Sequence, residues 1–407
     1  MKISGRHLIV LVAMCGLLAS GVGLVTNVGG LFFTPICDEF GIMKGAASMM
    51  LTIANISLAI GGLFVPRILN ERTLKPMLIV ATAVLAASTA AMSLCPSIFP
   101  MYVLSAIRGL SAGLMTFVFV TTVLNRWFIA GIGLATSIAM GFSGVAGAIF
   151  SPVVNGIIEG AGWRFGFVVL GVLSLVLNLP AILLLPSLNP ETSGLQPLGA
   201  ESAPRPTTAK KKVSVAAPSI DMVLFGAAIA YALLGSALTA LPQHFPGMSE
   251  NLGLGASVGA TMLSVCMIAN TVGKVALGAL IDRIGTKISV LIYLVLIAVA
   301  TVMFLFVKSP VVLTFCAVLY GLCYAIATVG ISMLTRDAFG VDNYDRTYPT
   351  ISLTGNIANA CFSSVVGFMY DFSGGYTSTL IMFCLMLAAC AAIVLFVYAR
   401  KPQPKLA

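Results

Sequence analysis

Twelve long apolar runs, punctuated by Gly, Pro and charged residues, constrain this 407-residue chain more than any other feature. They fall near 7–34, 44–66, 76–95, 99–123, 130–157, 165–187, 219–242, 254–281, 288–307, 311–334, 347–370 and 376–398. At 1.5 Å per residue, each is long enough for a helix to cross about 30 Å of hydrocarbon. A water-soluble fold could not hide this much apolar surface: 59% of residues are hydrophobic and 9% charged, against roughly 25% charged in soluble domains. Lipid must therefore be the solvent for much of the chain. The first run, flanked by Lys2 and Arg6, exceeds the ~7–15-residue core of a secretory signal and is read as a retained helix. The nine cysteines form no CxxC or His-paired cluster and read as small packing residues, with no metal or other cofactor expected.

Basic residues orient the runs. With the N-terminus inside, 17 of the 22 Lys and Arg fall in inner segments and three (Lys44, Arg164, Lys308) in outer loops. This excess satisfies the positive-inside rule, so the net charge of +9 is a topology signal and not a nucleic-acid footprint. The expected protein is all-α and polytopic, a monomer in a plasma (inner) membrane with both termini cytoplasmic. The predicted domains are a six-helix bundle over 1–187, a flexible inner linker over 188–218 rich in Pro, Ser, Thr and Lys, a second bundle over 219–398, and a tail over 399–407. The halves echo each other: "AIRGLSAG" (106–113) pairs with "VLYGLCYA" (318–325), and "RWF" and "RDAF" follow at comparable distances. Such internal repeats mark secondary transporters, which rock one bundle against the other around a midplane site.

The segment "GALIDRIGTK" (278–287) resembles the loop signature of the major facilitator superfamily, G-x-L-x-D-R-x-G-x-K. In the first half, "GLFVPRILNERTLK" (62–75) carries Pro66 where that acid would stand. The stretches "LNRWFIAGIGLATSIAMGFSGVAGAIFSP", "GWRFGF", "NPETSGLQPLG" and "LPQHFPGMSENLGL" are similar to the oxalate–formate exchanger and monocarboxylate transporter branch. That resemblance implies a twelve-helix fold in two six-helix bundles, an inner gate at Asp282 and Arg283 flanked by Gly278 and Gly285, and a substrate carboxylate bound by the basic residue eight places before the Asp, here Lys274. It further implies aromatic caging by Tyr320 and Tyr324, and a substrate-facing stretch in the first helix containing Thr26 and Asn27. Asn270 stands where the animal-type branch has a proton-coupling Asp. The second Lys of the oxalate exchanger is replaced by Gly355, flanked by Asn356 and Asn359.

Two cations, Arg108 and Lys274, lie inside apolar runs, and all thirteen acids fall at inner or outer ends. A cation at the bilayer centre costs ~2.5–3.5 kcal/mol even on the lenient insertion scale, so such groups face a cavity or a partner. With no carboxylate of the chain at that depth, an anionic ligand is the natural countercharge. The bland alternatives are that Arg108 braces backbone carbonyls, that Lys274 snorkels to the inner surface about 12 Å away, that the tyrosines pack with satisfied hydroxyls, and that the Asn and Thr side chains only glue helices together. His244 reads as an interface residue. The expected function is secondary transport of a small organic anion, most simply a monocarboxylate, by alternating access, coupled to a counter-anion or to protons, with Lys274 as the contact and Arg108 tuning the field. Proton-driven export of apolar or cationic compounds is the alternative, and it predicts a mid-membrane carboxylate that the sequence lacks. No HExxH or P-loop pattern points to an enzyme.

Overall fold

The computed structural model describes residues 5–129, 132–198 and 220–400. Among them, eleven helical stretches are long and apolar enough to span a membrane. One, Ile132–Leu184, breaks at Gly162 (φ 82°, ψ 160°) and is two spans. Twelve helices result: α1 (Gly5–Phe40), α2 (Lys44–Ile68), α3 (Leu74–Leu94), α4 (Ile98–Trp127), α5 (132–161), α6 (163–184), α7 (Met222–Asn251), α8 (Ala256–Ile284), α9 (Thr286–Phe306), α10 (Pro310–Gly340), α11 (Arg346–Ser373) and α12 (Thr377–Arg400). The apolar runs thus locate every span; the structure adds length at several ends, where polar residues such as Asp38 and Glu39 continue the helix.

Two junctions show why glycine stands where it does. Gly162 between α5 and α6, and Gly285 (φ 81°, ψ 159°) between α8 and α9, adopt a backbone conformation closed to residues with a Cβ. One residue there reverses the chain direction with no loop.

The chain forms two compact units, 1–211 and 212–407. In the first, Val10, Met14, Leu78, Phe119, Val123 and Trp127 are fully buried in one apolar cluster. In the second, Phe245, Phe304 and Tyr320 pack ring against ring. The sequence echo between the halves has a shared packing basis. A Cβ on Gly109 of α4 would lie 2.2 Å from the Ala54 carbonyl oxygen of α2, and one on Gly321 of α10 would lie 2.5 Å from the Cys266 carbonyl oxygen of α8. Both pairs of helices therefore touch backbone to backbone, as small residues permit in membranes.

Four helices change their winding, in matching places. The first helix, α1, is π-helical over Ala19–Asn27 and 3₁₀ over Gly29–Phe32. Its counterpart α7 is 3₁₀ over Leu238–His244, where Pro242 lacks an amide donor. Helix α4 breaks at Thr116 (φ −102°, ψ −126°), and α10 loosens at Gly321 and turns π-helical over Ile326–Gly330. Irregular winding inside a span is tolerated only where other groups satisfy the freed backbone.

The expected flexible linker 188–218 behaves differently at its start, and its remainder from 199 lies outside the described residues. Residues 187–198 lie along the end of the first unit that carries Arg6, Glu71 and Arg126. Glu71 accepts hydrogen bonds from the Leu188 amide (3.0 Å), the Asn189 amide and side chain (2.9 Å each) and the Thr192 hydroxyl (3.3 Å). Arg6 donates to the Ser193 carbonyl, Arg126 to Asn189 Oδ1, and the Leu198 amide to the Trp127 carbonyl. Composition alone misjudged this stretch, because its Pro, Ser and Asn residues are used as turn and hydrogen-bonding groups. The tail beyond Arg400 also lies outside the described residues.

Candidate functional site

The second unit gathers polar side chains around the broken part of α7. Tyr320 is fully enclosed and donates to the Leu238 carbonyl (2.8 Å). Tyr324, one turn on and half-buried, donates to the Thr239 carbonyl (3.4 Å) and hydrogen-bonds the Gln243 side chain. Asn359 of α11 donates to the Thr239 hydroxyl, which itself donates to the Ser236 carbonyl (2.6 Å). His244 Nε2 meets the Ser363 carbonyl (2.9 Å), joining α7 to α11 as an interface residue does. The tyrosine hydroxyls thus replace backbone bonds that the 3₁₀ segment cannot make. Tyr320 is a brace in this arrangement, since neither its ring nor its hydroxyl is open to a ligand; Tyr324 keeps an accessible side.

Lys274 lies on α8 beside this cluster. Its neighbour Gly273 packs on Leu322 of α10, and the Cys323 thiol is within electrostatic reach of its ammonium group. The side chain is half-buried and makes no hydrogen bond or ion pair among the described residues. Asn270, one turn earlier on the same face, is buried; its amide nitrogen reaches only the Met267 sulfur (4.0 Å), and its Oδ1 has no donor. The opposite side of α8 is different: Val265, Ile268, Val272, Tyr293 and Val318 line an apolar depression of about 360 Å³. Asn356 is exposed. Gly355 is closed off, because a Cβ there would lie 2.6 Å from Ser236 Oγ and 3.3 Å from the Ala232 carbonyl oxygen.

In the first unit, Thr26 donates to Asn55 Oδ1 of α2 (3.0 Å) and Asn27 to the Ser143 carbonyl of α5 (2.9 Å). Both tie α1 at its π-helical turn to a neighbour. Arg108 is buried, with its Nε unpartnered and no hydrogen bond or ion pair among the described residues. Its carbonyl-bracing role, one of the readings the sequence allows, is therefore not what the geometry displays. It lines a cavity with about 10 Å³ of room for the centre of a water-sized body, walled by Leu24, Phe32, Phe33, Met50, Phe167 and Leu170. Arg108 and Lys274 thus occupy different units, each with its own surroundings.

At the C-terminal end of α8, Asp282, Arg283 and Gly285 are exposed and Gly278 has open space around it. Neither charge of the Asp282–Arg283 pair forms an ion pair among the described residues. The ion pair that is formed at this end joins Asp221, capping the start of α7, to Arg400 at the end of α12 (2.9 Å). The Arg400 guanidinium holds the Asp221 carboxyl below the usual carboxylate range, with help from the Val223 and Leu224 amides. Sequence reading missed Glu71, Thr239 and Gln243. The two prolines in "LPQHFP" signal the break that engages Thr239 and Gln243, and Glu71 follows shortly after the lost acid of the first half.

The Major Facilitator Superfamily model matches residues 9–245 and again 222–407, two overlapping matches that together cover nearly the whole chain. The chain belongs to the Major Facilitator Superfamily. It is a multi-pass membrane transporter of that family. It is 24% identical over 230 residues to the MFS-type transporter pytF of Aspergillus terreus, covering 56% of this chain and 73% of that protein. An uncharacterised MFS-type transporter of Schizosaccharomyces pombe is 33% identical over 151 residues, 36% of this chain and 33% of that protein. Among solved structures, the inward-open xylose transporter XylE of E. coli superposes with a TM-score of 0.69 at 15% identity, covering 98% of this chain and 97% of that one. The nucleoside transporter NupG does so at 0.69 and 14%, covering 98% and 100%. At such identities the likeness is one of fold.

Proposed function

We propose that this transporter carries a small organic anion, a monocarboxylate, by alternating access across the plasma (inner) membrane, with both termini cytoplasmic. The observation that carries the reading is Lys274: a cation in a spanning helix, without a carboxylate partner among the described residues and beside the polar cluster of α7, α10 and α11. The substrate carboxylate supplies the missing countercharge, and both ions lose less on leaving water together than apart. Tyr324, Asn270, Asn359 and the exposed Asn356 offer neutral hydrogen-bonding groups for the rest of the molecule. Thr26 and Asn27 hold the π-helical turn of α1 in place, and Asp282, Arg283, Gly278 and Gly285 serve the inner gate.

A single negative charge fits best, because the site of the second lysine in oxalate exchangers is filled here by the contact of Gly355 with Ser236. Arg108 tunes the field from its own unit; its cavity has no room for an organic acid. Proton-driven export of apolar or cationic compounds lacks the midspan carboxylate it would need. Neutralisation of Lys274 by substrate favours exchange, in which the site changes sides only when occupied; protons are the alternative coupling ion.

The test is uptake of labelled short-chain, aromatic and dicarboxylic acids into liposomes holding the purified protein. Monocarboxylate uptake is expected to need an internal anion and to fall at least about 100-fold in Lys274→Gln, as when one partner of a desolvated charge pair is removed. Unchanged flux in that variant would overturn the reading. Uptake that ignores internal anion but follows a proton gradient would replace exchange by symport.

A further inference from the structure

Arg108 presents a separate problem from Lys274. A guanidinium keeps its charge at any physiological pH, and this one is buried to 3% exposure with an unpartnered Nε. The walls around it are leucine, phenylalanine and methionine side chains. No carboxylate and no carbonyl accepts from it among the described residues. An uncompensated charge in such surroundings is strongly unfavourable. The cavity it lines has about 10 Å³ for the centre of a water-sized body, roughly the minimum that holds one water. A water molecule fits but carries no charge. Acetate, with four heavy atoms, does not fit. A monatomic anion meets both the size and the charge.

We infer that Arg108 and its cavity form a halide site, with chloride the resident ion, inside the first unit and independent of substrate binding at Lys274. The site is built from one unit alone: α1 provides Leu24, Phe32 and Phe33, α2 provides Met50, and α6 provides Phe167 and Leu170. Aromatic ring edges carry partial positive charge and tolerate an anion at their rim. With a halide at Arg108, the midspan cation still without a countercharge among the described residues is Lys274, which a substrate with one negative charge would neutralise.

The experiment is a thermal-unfolding titration of the purified protein with sodium chloride against sodium gluconate at constant ionic strength. Wild type is expected to show a saturable rise of about 2–4 °C with chloride, by stabilisation of the folded state through ligand binding. Arg108→Gln is expected to lose that rise, while Lys274→Gln keeps it. A rise that persists undiminished in Arg108→Gln, or no rise in wild type, would overturn the inference. Crystals of wild type grown in bromide give a reading that does not depend on the folding of Arg108→Gln: an anomalous peak beside the Arg108 guanidinium supports the site, and bromide peaks confined to other places refute it. Failure of the substrate reading would show in the flux of Lys274→Gln and leave the chloride response intact, so the two are separable.

Discussion

Arg108 and Tyr320 occupy the same place in the two halves, each immediately before the glycine that lets its helix touch a neighbour backbone to backbone. Their fates differ. Tyr320 delivers a neutral hydroxyl to a carbonyl freed by the 3₁₀ winding of α7, and its ring joins Phe245 and Phe304. Arg108 delivers a charge to an apolar cavity and finds no acceptor. One architecture thus carries a satisfied brace in one half and an unsatisfied cation in the other. Symmetry of backbone does not impose symmetry of chemistry, and the departure from it points to ligand binding.

The largest effect that would sharpen this contrast concerns Gly355. Gly355→Lys supplies the cation that an oxalate exchanger would have, yet its Cβ would lie 2.6 Å from Ser236 Oγ. Overpacking of this kind costs about 1–3 kcal/mol or more. We expect a lowered melting temperature and no gain of dicarboxylate uptake; robust dicarboxylate transport by this variant would break the comparison. Next comes Tyr320→Phe, which strands the buried Leu238 carbonyl. A loss of about 1–3 kcal/mol in unfolding free energy is expected, with the affinity for substrate little changed. A selective loss of substrate affinity would instead make Tyr320 a cage residue. The smallest effect is at the rim. Asp221→Asn removes the ion pair with Arg400, and the stability change should be slight because both groups are exposed. The sign is fixed: the Asp221 carboxyl titrates lower when folded, so its contribution is present above the ordinary carboxylate range and vanishes as pH falls through the lowered value. Stability of Asp221→Asn and wild type should therefore converge on acidification; divergence would remove the assigned pairing.

Much of the fold was legible because hydrocarbon is an unforgiving solvent. Apolar run length located all twelve helices, and the repeat around Gly109 and Gly321 marked a real backbone contact. Departures from regular winding were less legible. Proline betrays the break in α7, but the π-helical stretch Ala19–Asn27 has no proline and depends on tertiary partners such as Ser143. The isolated charges at Arg108 and Lys274 could be picked out in sequence, since a cation in an apolar run is rare whatever the fold. What surrounds them could not, because cavity size and the closure at Gly355 arise from helices distant in the chain. Linker composition misled at 188–198 for a related reason: Glu71, more than a hundred residues away, supplies the acceptors that order it.

That ordered segment has a practical consequence for anyone wishing to cut or extend the chain. Four donors converge on one carboxylate at Glu71, so a fusion domain or protease site introduced between 188 and 196 would have to unfasten this end of the first bundle. Placed after Leu198, the same insertion leaves that knot tied, and co-expressed halves severed there should each retain their own footing.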